Sequence, residues 1–220
     1  DKNGNQIAVA QEEFTQLFPK KSWVEHDPIQ IWETQLKAIK SVVQKALINP
    51  QEIDSIGITN QRETTIVWNK NTGKPVYNAI VWQDRRTADL CAKIAAAGHE
   101  DMVREKTGLL LDPYFSASKI AWLLDNVPDA RARAEAGDLV FGTVDSWLVW
   151  QLTAGQVHST DATNAARTSI FNIHIHDWDD ELSALVHVPR NILPTVHDNV
   201  SDCGGRADGV LAANLPLRGR

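Results

Sequence analysis

The chain has 220 residues, 43% of them hydrophobic and 23% charged. That is enough apolar side chain for a real core, and it excludes disordered, collagen-like and disulfide-scaffold classes. The 22 Lys and Arg against 28 Asp and Glu give a net charge of −6 without a basic run, so nucleic acid is not an expected partner.

Two cysteines, Cys91 and Cys203, stand in no CxxC pattern, which suggests neither zinc nor a disulfide framework and fits a reducing cytoplasm. No apolar stretch approaches the ~18 residues of a membrane span, and no secretory signature precedes the Asn199-Val200-Ser201 sequon, which reads as a chance match. In chain order, Asp1 to Asn5 is turn chemistry, and Gln6 to Phe14 alternates as the second arm of a hairpin. The partner strand is expected upstream of Asp1. Asp27-Pro28 predicts a helix start, followed by an apolar stripe at Ile29, Trp32, Leu36, Ile39, Val43 and Leu47. Ile53 to Thr59 predicts a strand, Asn60 to Glu63 a polar corner, and Thr64 to Trp68 a second strand. Asn69 to Pro75 closes a hairpin, and Ala79 to Trp82 is a short buried strand.

Helical stretches follow Thr87, stopping at Gly98, and again before Gly108. Asp112 to Phe115 reads as a loop, with Ser116 capping a helix that ends by Pro128. Leu139 to Gly142 predicts a strand, leading to a helix capped by Asp145. Ser169 to Asn172 predicts another, with Asp177 capping a short helix. Gly204-Gly205 reads as a turn, and Leu215-Pro216-Leu217 as the start of a new element, so the chain is expected to be incomplete at both ends. Strands and helices interleave, which gives an α/β class with a mixed sheet and flanking helices.

For chemistry, the corner Asn60-Gln61-Arg62-Glu63-Thr64-Thr65 is the clearest local signal. A guanidinium donates and a carboxylate accepts, so Arg62 and Glu63 together can hold a small polyol. Trp82 can supply an apolar wall and Tyr114 a hydroxyl contact. An Arg-Glu dipeptide in a loop is also an ordinary solvated pair. His174 and His176 could chelate a metal from a strand, although Asp177 to Glu181 reads better as an acidic helix start. Asp84, Asp112, Asp145 and Asp161 sit near element ends, where each is equally a cap or turn residue. No Walker loop, GxGxxG or G-x-S-x-G occurs.

The segments Trp23 to Pro28, Gly57 to Thr65, Asn78 to Gln83, Tyr114 to Asn126, Phe141 to Leu148 and Thr163 to Thr168 resemble, in order, the FGGY carbohydrate kinases, and within them the glycerol-phosphorylating branch. The resemblance implies an actin-like, ribonuclease-H-type fold of two domains with ATP and polyol meeting between them. The whole of 1–220 would be most of the first domain. It implies that Arg62, Glu63, Trp82 and Tyr114 bind glycerol, that the full-length protein makes glycerol 3-phosphate from ATP with Mg²⁺, and that it forms homo-oligomers. The family's first phosphate-binding hairpin is expected before Asp1. Its Gly-Asp-Gln segment, which carries the general base, is expected with the second domain after Arg220. The 220 residues alone are therefore expected to be inactive and to hold no catalytic residue. Ala207 to Ala213 is neither basic nor glycine-rich, so control by a sugar bisphosphate effector is not expected. The alternatives are a kinase of a larger polyol or ketose, and a non-catalytic binding module.

Overall fold

The computed structural model describes residues 1–200, 202–211 and 213–219. Its central antiparallel sheet is built from short strands. These are β1 (Gln16–Leu17), β2 (Glu25–His26), β3 (Ile66–Asn69), β4 (Ala79–Ile80) and β5 (Leu139–Gly142). β1, β2 and β4 form one ladder and β3 pairs with β5 in register from Ile66 opposite Gly142 to Asn69 opposite Leu139. Reciprocal backbone hydrogen bonds between Thr65 and Ile80, 2.9 and 3.0 Å, join the two ladders. β3 and β5 are continuous apolar runs because both faces are covered, and Ile66, Trp68, Leu139 and Phe141 are no more than 1% exposed.

One face is covered by α1 (Pro28–Ala46) and, further along, α6 (Val144–Leu152). α1 starts where Asp27 predicts, its carboxylate accepting from the Ile29 N–H at 2.8 Å. The Trp147 indole donates to Pro28 O at 2.9 Å and packs edge-on against Trp68 at 5.3 Å, which locks α6 to the start of α1. The other face takes α2 (Ala88–Ala96), α3 (Glu100–Thr107), α4 (Ser116–Asn126) and α5 (Ala130–Glu135). Ile120, Leu123 and Leu124 of α4 form one cluster with Val67, Ile80 and Phe141. The rest is β6 (Ser159–Asp161) paired in parallel with β9 (Thr195–His197), α7 (Ala162–Ala165), the β7 (Phe171–Asn172) and β8 (Asp177–Trp178) ladder, α8 (Asp180–Leu185), and the antiparallel β10 (Asp202–Leu211) and β11 (Ala213–Arg218). Parallel and antiparallel pairs coexist, as the α/β pattern predicts.

Several local expectations are corrected. Gln6 to Phe14 is not a strand, since no described segment pairs with it. Ile53 to Thr59 is not a named strand, but Ile56 and Ile58 run parallel to the end of the chain through a bridge to Leu217 and backbone hydrogen bonds to Pro216, Arg218 and Gly219. In α1, Pro28 and Ile31 are the buried residues, whereas Ile29 is 40% and Leu47 93% exposed, Leu47 being the left-handed C-cap. Phe115 rather than Ser116 caps α4, and Thr143 rather than Asp145 caps α6. Asp177 belongs to β8, and Asp179 caps α8 by accepting from the Leu182 N–H. Gly204-Gly205 lies inside β10 where its register with β11 shifts, a position that suits glycine in a bulge. Ser201 of the sequon and Ala212 of the effector-type segment lie outside the described residues. Among the described residues no helix is long and apolar enough to cross a membrane.

Two predictions follow from this packing. A Cβ added at Gly142 would lie 2.5 Å from Ser146 Cβ and 2.9 Å from the Trp68 ring, so Gly142→Ala should lower the denaturation free energy by about 1–3 kcal/mol. A midpoint unchanged from wild type would contradict the close approach. His158 shares a 2.7 Å hydrogen bond with Phe141 O, and burial lowers its pKa from 6.5 to about 4. The unfolded imidazole therefore takes a proton first. Stability should fall as pH drops from about 6.5 to about 4, by on the order of 3 kcal/mol, and this part of the slope should vanish in His158→Gln. Urea titrations of both proteins at pH 7 and 4.5 measure it, and parallel curves would refute it.

Candidate functional site

The polar corner before β3 places Glu63 between the sheet and α4. Its backbone is left-handed, φ +63°, a conformation that costs a non-glycine residue about 1–2 kcal/mol. Two hydroxyls hold it there: the Glu63 carbonyl accepts from Thr65 Oγ1 and from Ser116 Oγ, the first residue of α4, each at 3.1 Å. The residue is 3% exposed. Its Oε1 accepts from Arg167 Nε at 2.7 Å, and no described residue donates to Oε2. Asn60, at the other end of the corner, donates to Thr143 Oγ1 at 3.1 Å and Asn164 Oδ1 at 3.0 Å, and accepts from the Asp145 N–H at 3.0 Å. The corner is thereby tied to the starts of α6 and α7.

Trp82 follows β4, and Tyr114 lies in the loop before α4. Their rings meet at 5.4 Å with an interplanar angle of 53°. The Arg167 guanidinium lies 4.9 Å from the Phe115 ring and 5.8 Å from that of Tyr114. Glu63, Arg167, Tyr114 and Trp82 thus form one continuous arrangement of a carboxylate, its cation and two half-buried rings. Arg62 is exposed, with no ion pair or hydrogen bond to a described residue. The adjacent Arg-Glu pairing suggested by sequence gives way to a pair between Glu63 and Arg167, 104 residues apart.

A lysine fixes the Tyr114 loop. Lys119 of α4 is fully buried, and its ammonium donates to the carbonyls of Pro113 and Tyr114, each at 2.6 Å, and of Phe115 at 3.2 Å. Burial lowers its pKa from 10.5 to about 7, against the opposing pull of Asp84, Glu63, Cys91 and Asp112. The sequence does carry a signal for it, because Lys119 lies on the Ser116, Ile120, Leu123 face of α4, where a charge is out of place unless it is satisfied. Arg167 had no comparable local signal.

The four aspartates all have structural partners. Asp84 accepts from the Val24 N–H at 2.6 Å and from Arg86, Asp112 pairs with Arg85 at 2.8 Å, Asp145 accepts from Thr143 and Thr160, and Asp161 caps α7. His174 and His176 turn to different neighbours, Glu105 O and the Phe171 ring, and the described residues contain no group of three or more metal-binding side chains.

If Lys119 holds the aromatic loop, Lys119→Met should lower stability by about 1–3 kcal/mol and weaken the near-ultraviolet circular dichroism of the Trp82 and Tyr114 pair. An unaltered spectrum at unaltered stability would show that the ammonium holds nothing.

Residues 1–213 match the model of the FGGY family of carbohydrate kinases, N-terminal domain. Over the whole chain, identity is 53% to a glycerol kinase of Paracidovorax citrulli and 56% to one of Alcanivorax borkumensis, covering 43% and 44% of those proteins. A Shewanella frigidimarina glycerol kinase is 61% identical over 89% of the chain and 39% of its own length. The chain therefore spans less than half the length of the curated relatives it matches. Among solved structures, Plasmodium falciparum glycerol kinase with ADP superposes with a TM-score of 0.85 at 35% identity, covering 94% of this chain and 42% of that one. A xylulose kinase of Rhodospirillum rubrum also gives 0.85, at 20% identity over 97% of this chain and 44% of its own, a likeness of fold alone. The fold is the actin-like one of these sugar kinases, and the chain belongs to the FGGY family of carbohydrate kinases, within its N-terminal domain.

Proposed function

We propose that the full-length protein carrying this chain transfers the γ-phosphoryl group of ATP to glycerol, and that residues 1–220 furnish most of the glycerol pocket as part of its N-terminal domain. The reading rests on one observation above all: a buried carboxylate, Glu63, is held at one oxygen by Arg167, has the other without a donor among the described residues, and its cation lies near the Tyr114 ring, which in turn meets Trp82. A carboxylate oxygen with open capacity accepts from an alcohol. Arg62 donates to a second hydroxyl oxygen, while Trp82 and Tyr114 cover the carbon backbone. Fixing two hydroxyls leaves the terminal one oriented for in-line attack, which is where such enzymes gain rate. The 53–61% identity to proteins named glycerol kinase supports glycerol over larger acceptors.

ATP and Mg²⁺ belong to this reading through the rest of the protein. In this reading the part described here holds the acceptor.

In the full-length protein, Glu63→Gln should raise the glycerol KM on the order of a hundredfold, as expected when a hydrogen bond to a charged group is lost and the oxygen facing the hydroxyl is replaced by an amide donor. Coupled assay of ADP release with glycerol, erythritol and xylulose measures this. An unchanged KM would remove Glu63 from the pocket, faster turnover of xylulose would favour the ketose reading, and no turnover with any acceptor would favour a binding module.

A further inference from the structure

Resting on the polyol reading above, we infer that Arg167 is a positioning residue for the acceptor site: it holds the Glu63 carboxylate by one oxygen so that the other faces the hydroxyl it binds. Four observations carry this. The Arg167 to Glu63 contact is a charge-assisted hydrogen bond at 2.7 Å, and the carboxylate end is 4% exposed while the arginine side chain is 31% exposed. Such bonds are stronger than neutral ones and are weakened least where water is excluded. The contact uses Nε and Oε1 alone, so the carboxylate is oriented without being saturated. The guanidinium also packs 4.9 Å from Phe115 and 5.8 Å from Tyr114, which places it between the carboxylate and the aromatic wall. Finally, the segment that delivers Arg167 is itself fixed. Asp161 caps α7, Asn164 is bonded to Asn60 of the same corner, and Thr168 O accepts from the Ala117 N–H at 2.8 Å.

A glutamate side chain has three rotatable bonds, and in a left-handed residue its carboxylate has no helix or strand neighbour to orient it. Without Arg167 neither carboxylate oxygen would have a donor among the described residues, and the group would be free to turn away from the ligand. Binding would suffer at the ground state and transition state alike, which is a KM effect. In this role Arg167 acts through Glu63.

The test uses the full-length protein and its Arg167→Met, Arg167→Lys, Glu63→Gln and Glu63→Gln/Arg167→Met variants, with melting temperatures recorded alongside glycerol KM and kcat. Arg167→Met should raise KM roughly ten- to a hundredfold with kcat within about threefold. Arg167→Lys should recover part of the loss. The double variant should be little worse than Glu63→Gln alone, because the arginine acts through the glutamate. An unchanged KM in Arg167→Met, a loss confined to kcat, or additive effects in the double variant would each overturn the role. Should the methionine variant not fold, Arg167→Lys and Arg167→Gln report the same KM and kcat split. A wild-type protein with no saturable dependence on glycerol would instead sink the polyol reading and this role with it, an outcome distinct from a saturable wild type whose Arg167 variants behave identically.

Discussion

The Glu63 carbonyl, gripped by the hydroxyls of Thr65 and Ser116, is the joint on which the site depends. A left-handed glutamate is an unfavourable conformation that a sheet edge alone would not impose. Here the strand that follows is fixed by pairing, Thr65 to Ile80, and the helix opposite is fixed by its apolar face. The hydroxyl pair transfers both constraints to one peptide, so strain is retained at the position where a side chain must be presented. Loss of either hydroxyl would leave a buried carbonyl short of a donor, not merely a contact short.

Behind Trp82 lies a second constraint, a buried charge cluster. The Arg86 side chain is 0% exposed and pairs with Glu25 at 2.7 Å and Asp84 at 2.8 Å, while its guanidinium lies 3.7 Å from the Trp23 ring and 4.6 Å from that of Trp122. Nη1 has no hydrogen-bond partner, and the flanking indole faces are what it meets instead. Two carboxylates and one guanidinium in a dry setting are worth little as net stability. Their effect is geometric, since Glu25 also accepts from Tyr77 and Asn78, just before β4, and Asp84 from the Val24 N–H, just after it, pinning the chain on both sides of β4. Trp82 is thus presented from a rigid support.

Much of this was legible in the residues, and the misses have physical causes. The Asp27-Pro28 start of α1 is local chemistry and was read correctly. Leu139 to Gly142 is a strand with the expected bounds, whereas other strand expectations fail because a strand exists only where a partner does: Gln6 to Phe14 has none among the described residues. The corner stood out because polar residues interrupt two β-rich runs. What sequence could not supply was the partner of Glu63, since Arg167 lies on another element 104 residues away, and pairing at that range is a property of topology. Asp145 looked like a cap and proved to be a buried acceptor for Thr143 and Thr160, a difference that depends on β6 arriving beside α6.

Lys119 reaches back from α4 to the very loop that introduces that helix, so Tyr114 is bolted to α4 and not to the sheet. Trp82, in contrast, is carried by the end of β4. The two rings therefore ride on different bodies, and any rocking of α4 against the strands alters the aperture between them. The spacing of the Trp82 and Tyr114 rings is therefore governed by the angle of a single helix.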